Sequence, residues 1–98
     1  MQDIEELELA GHGMGNEAAE ALAELLNYLP NLTGLNLARN SISERGMHIL
    51  LPQIERHPNL VRVSVELNPV PSFLRVKLKE VLTSKVNRRF GSVGAGSR

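Results

Sequence analysis

The sequence predicts an α/β fold of three stacked strand–turn–helix units, and three observations carry that expectation. The first is the stretch Leu32-x-x-Leu35-x-Leu37-x-x-Asn40. It recurs 28 positions earlier as Ile4-x-x-Leu7-x-Leu9-x-x-His12 and 28 positions later as Leu60-x-x-Val63-x-Val65-x-x-Asn68. A fixed period of roughly 20–50 residues marks a chain built from stacked units. The second is strict alternation, as in Glu6-Leu7-Glu8-Leu9, which suits a strand with one buried face. The third is a run of apolar residues at helical spacing after each of these strands.

The units follow in order as residues 4–31, 32–59 and 60–89, within one domain over 1–90. In the first, Gly11-His12-Gly13-Met14-Gly15 reads as a flexible turn, and Asn16 as the N-cap of a helix from Glu17 to Leu29. Its inner face takes Ala18, Leu22, Leu25, Leu26 and Leu29, and Pro30 stops it. In the second, Leu35-Asn36-Leu37 is the strand, and Ser43 or Ser41 caps a helix running to about Arg56. Gly46 and its counterpart Ala18 are both small, which suits close packing of helix against strand. Pro52 is expected to kink or break that helix. In the third, Arg62-Val63-Ser64-Val65 is the strand and Asn68-Pro69-Val70-Pro71 a stiff turn. Ser72 then caps a last helix, Phe73 to about Arg89. Residues 91–98 are small and polar and are expected to form a disordered tail.

Composition narrows the functional classes. The 98 residues contain no cysteine, which removes disulfides and thiolate metal sites and suits a reducing, cytoplasmic setting. The acidic start is not a signal peptide, and no apolar run approaches the roughly 20 residues of a membrane span. Net charge is zero but unevenly placed: residues 1–30 carry −7, 31–71 carry +1 and 72–98 carry +6.

The unit Leu32-x-x-Leu35-x-Leu37-x-x-Asn40-x-Ile42-x-x-x-Gly46-x-x-x-Leu50 resembles the leucine-rich repeat of the ribonuclease-inhibitor type, as does its 28-residue length. The resemblance covers about residues 4–88. It implies a right-handed solenoid with a parallel sheet on the concave side and helices on the convex side. It also implies a structural ladder of asparagines, here Asn40 and Asn68, from which His12 departs in the first turn. The last helix looks like a C-terminal cap, and no N-terminal cap is recognisable.

Each chemical motif has a plainer reading. The Gly11–Gly15 loop lacks both G-x-G-x-x-G and Gly-Lys-Ser/Thr, so it reads as a repeat turn and not a phosphate cradle. His12, His48 and His57 lie in different units, so no metal site is expected. No nucleophile–base motif is present, and no enzyme and no cofactor are expected.

The expected role is a protein-binding module. The resemblance places the partner on the concave positions Glu6, Glu8, Ala10, Gly34, Asn36, Ala38, Arg62, Ser64 and Glu66, bordered by Arg39. A basic last helix carries Arg75, Lys77, Lys79, Lys85, Arg88 and Arg89. It can attract acidic partners, but nucleic acid is not expected, because aromatic stacking residues beyond Phe73 and Phe90 are lacking. The uncapped first unit adds a second expectation, self-association. By analogy with activators and filament caps built on this repeat, a GTPase regulator, with Arg39 or Asn40 as contacts, and a cytoskeletal capping or assembly element are alternatives. So is a piece of a longer leucine-rich-repeat receptor or scaffold.

Overall fold

The computed structural model describes residues 3–88. Strand β1 (Glu6–Glu8) leads to helix α1 (Gly15–Leu25), which tightens into a 3-10 turn at Leu26–Tyr28. Strand β2 (Gly34–Asn36) leads to helix α2 (Glu44–Arg56), and β3 (Arg62–Ser64) to α3 (Ser72–Val86). The fold is mixed α/β.

The strands form one parallel sheet in the order β1–β2–β3. Leu7 stands opposite Leu35, and Leu35 opposite Val63, so neighbouring strands meet at an offset of 28 residues. The ladder runs on past the strands. Leu9 N–H donates to the Asn36 carbonyl at 2.9 Å, and Leu37 N–H to the Ser64 carbonyl at 2.8 Å. Parallel strands need a crossover, and α1 and α2 supply it. Helix α2 packs against both α1 and α3.

The core is aliphatic, and the middle unit supplies most of its fully covered side chains. Leu32, Leu37, Ile42, Leu50, Ile54 and Leu60 retain no accessible surface. Some of the equivalent apolar residues at the ends are covered less well. Leu7, Leu9 and Met14 are half-buried, as are Val63 and Leu82.

Several local expectations are revised. The buried stripe of α1 is Ala19, Leu22, Ala23 and Leu26, while Ala18 and Leu25 are half-buried. Asn16 does not cap its own helix; Met14 holds that position with helical backbone. Helix α2 is continuous through Pro52. Pro52 and His48, whose carbonyl loses its donor, are both exposed, so water can serve that carbonyl. Ser72 is the first residue of α3, and Pro71 precedes it at the cap. Arg89 and the expected tail over 91–98 lie outside the described residues.

The turns after the strands share a left-handed residue. Gly11, Arg39 and Leu67 occupy equivalent stations with φ of 76°, 57° and 59°. Gly13 and Ser41 form a second pair, both at 61°. Glycine enters this region without steric cost, whereas Arg39, Ser41 and Leu67 are strained there.

Candidate functional site

The turns that carry the site are tied together by two buried asparagines. Asn40 is fully buried. Its Oδ1 accepts from His12 N–H at 2.9 Å and Met14 N–H at 3.2 Å. Its Nδ2 donates to the carbonyls of Leu9, Leu37 and Ala38. Asn68 repeats the arrangement one unit later. Its Oδ1 accepts from Asn40 N–H and Ile42 N–H, both at 2.9 Å, and its Nδ2 donates to the carbonyls of Leu37, Val65 and Glu66. Each asparagine therefore holds both its own turn and the one before. His12 makes no rung of its own kind; its backbone is held by Asn40.

At the opposite end of the units, His57 performs a similar task. It is buried, and its Nδ1 accepts from Asn59 N–H at 3.1 Å and Leu60 N–H at 3.0 Å. Only the neutral tautomer with a proton on Nε2 fits, and that nitrogen donates to the Leu29 carbonyl at 2.7 Å. Burial pushes the His57 pKa below its ordinary value of 6.5. The bond to Leu29 works the other way, and the charge of Lys85 lowers it further.

The polar face of the sheet carries Glu6, Glu8, Asn36, Arg62 and Ser64, and most of these pair with one another. Glu6 and Arg62 form an ion pair across the central strand. They meet over Gly34, where a β-carbon would fall 2.8 Å from Arg62 Nη2. Arg62 also donates to Thr33 Oγ1 at 3.2 Å. Asn36 Nδ2 donates to Glu8 Oε2 at 3.0 Å, and Asn36 Oδ1 accepts from Ala38 N–H. The face thus carries one ion pair, Glu6–Arg62, and one carboxylate, Glu8, bonded to a neutral amide.

At its rim the side chains are more accessible. Arg39, Glu66 and Leu67 are exposed, and Arg39 lies near Gly11. Leu67 is 77% exposed, the most exposed of the large apolar residues described. The sequence reading missed it. The available signal was an apolar residue at a station held by glycine and arginine in the other units.

The basic residues of α3 do not share one surface. Arg75 and Lys79 flank a groove between β3 and α3 whose apolar lining includes Val63, Leu78 and Leu82. Lys77 lies on the other side, beside Leu51 and Pro52 of α2. Lys85 is buried and donates from Nζ to the Ile54 carbonyl in the last turn of α2, where a cation suits the helix dipole. Arg88 is exposed.

Among the described residues, no group of three His, Cys, Asp or Glu side chains converges to hold a metal. No described helix is long and apolar enough to cross a membrane. Compared with known proteins, the chain matches no family model and shows no significant match to a curated protein.

Proposed function

We propose that the chain is a leucine-rich-repeat module of the ribonuclease-inhibitor type, a short right-handed solenoid that binds a protein partner and performs no catalysis. One observation carries this reading. The asparagine rungs and the strand ladder both step by 28 residues, from Asn68 to Asn40 and from Val63 to Leu35 to Leu7. A chain in which each unit buries its apolar face only against the next is a stacked-repeat chain.

The binding surface in this reading is the polar sheet face together with its rim. Glu6–Arg62 and Glu8–Asn36 are already paired within the chain, so these side chains are held in place before a partner arrives. Leu67 supplies apolar area and Arg39 a charge at adjacent turns. Leu67 spends backbone strain on an exposed position, which is the kind of outlier that points toward a functional surface.

Capture and crosslinking with the purified chain test this. A specific partner should crosslink to the sheet face and its rim. The double variant Arg39→Glu, Leu67→Ser should weaken its binding at least about tenfold, a change of about 1.4 kcal/mol, without unfolding the chain. A partner that crosslinks only to the helices and ignores both substitutions would overturn the surface assignment.

A further inference from the structure

We infer that the two ends of this chain are complementary, and that a second copy docks its β1–α1 end into the groove between β3 and α3, extending the sheet head to tail. The inference rests on the stacked-repeat reading above and names its partner: the chain itself.

Burial supplies the first support. At the position shared by Leu7, Leu35 and Val63, the middle residue is buried and the outer two are half-covered. At the other end of the helices Ile54 is fully buried and its third-unit equivalent Leu82 is half-buried, while the first unit's Leu26 is covered. Among the described residues nothing pairs with the outer edge of β1 or of β3. Each end therefore presents a strand edge with partly open aliphatic side chains beside it, Leu7, Leu9 and Met14 at one end and Val63 and Leu82 at the other. Two parallel edges of the same polarity can continue the sheet without a break, in the manner of a heterologous, non-closing contact.

Charge supplies the second. Residues 1–30 carry −7 and residues 72–98 carry +6. The internal contacts show where those charges would meet. Arg45 of α2 reaches back to Glu20 of α1 at 3.9 Å. Glu17 holds the same station on α1, 28 residues earlier, and is exposed. In a docked copy it reaches back toward α3 near Val76, beside Arg75 and Lys79, both exposed. On the sheet face, the row Glu6–Gly34–Arg62 gains the incoming Glu6 on the free side of Arg62. Two copies of the acidic end repel each other, which disfavours an edge-to-edge dimer of first units.

Sedimentation velocity and light scattering on the whole chain test this, with circular dichroism confirming that every variant is folded. The average mass should rise with concentration at low salt and fall as salt screens charges over about 8 Å at physiological strength. Lys79→Glu and Glu17→Lys should each weaken association at least about tenfold, and mixing the two variants should restore it. A folded monomer at every concentration in low salt overturns the inference. So does association that ignores both substitutions, which would indicate an apolar edge dimer instead. Either failure leaves the stacked-repeat reading standing, since that depends on the partner crosslinks and on the rungs within one chain.

Discussion

Asn16, on the first helix, caps the second helix and occupies the space where a side chain at Gly46 would begin. Its Oδ1 accepts from Ser43 N–H and Gly46 N–H, both at 3.0 Å, and its Nδ2 donates to Ser43 Oγ at 2.7 Å. Ser43 stands at the N-cap of α2 but makes no capping bond of its own. The free amide of the first turn is thus satisfied by the neighbouring helix. A β-carbon on Gly46 would overlap Asn16 Oδ1 and lie 2.9 Å from Ile42 Cγ2.

Gly46→Ala should therefore destabilise the chain, although alanine is the better helix former by about 1 kcal/mol. Asn16→Ala should cost about 0.5–2 kcal/mol through loss of the cap. In the double variant the two costs should sum to more than the measured loss, because removing Asn16 relieves the overlap. Urea denaturation of the four proteins gives the coupling. Strict additivity would show that the two residues do not meet.

Leu37 is fully buried beneath the central strand. Leu37→Ala should cost about 2–5 kcal/mol, as other large-to-small core changes do. For a domain of this size that is a large share of the whole. A melting temperature within a degree or two of the parent would contradict the register described for β2.

His57 makes stability depend on pH in a defined direction. Its folded pKa lies below 6.5, so between the two values the unfolded chain binds the extra proton. Stability from this group is intact above about 6.5 and falls as pH drops toward the folded pKa. Protonating Nδ1 would set an N–H against the Asn59 and Leu60 donors. Denaturation at pH 7.5 and 5.5 should show a smaller loss on acidification for His57→Asn than for the parent. Equal losses would assign the pH dependence to other groups.

Leu67 gains little by its side chain and is strained by its backbone. Leu67→Asn, with a residue that tolerates the left-handed region, should stabilise the isolated chain by up to about 1 kcal/mol. The same change should weaken capture of a partner. Thermal melts and binding measured side by side check both halves; a variant that is less stable would place Leu67 in the fold's support.

The strands and the Asn40–Asn68 spacing were legible in the sequence because a 28-residue period survives in side-chain type. What was not legible were polar bonds between units. Sequence spacing places Asn16 at the cap of its own helix, counts Lys85 among the basic residues of the last helix and gives His57 no bonding role. Each instead bonds a residue 27 to 31 positions away. Capping preferences are read from near neighbours along the chain, yet where parallel strands meet at a 28-residue offset the adjacent unit is the nearer source of donors and acceptors. The pairing of Glu6 with Arg62, 56 residues apart, was hidden for the same reason. It needs the register and the bare Gly34 between them.

The most direct test of the proposed stacked arrangement is amide hydrogen exchange by NMR in two variants, Asn40→Ala and Asn68→Ala. The asparagine rungs carry the reading, and each holds particular backbone amides. Asn40→Ala should lose protection first at His12 and Met14, and Asn68→Ala first at Asn40 and Ile42. Protection lost uniformly along the chain in both variants, or unchanged at these four amides, would contradict a ladder that steps from unit to unit.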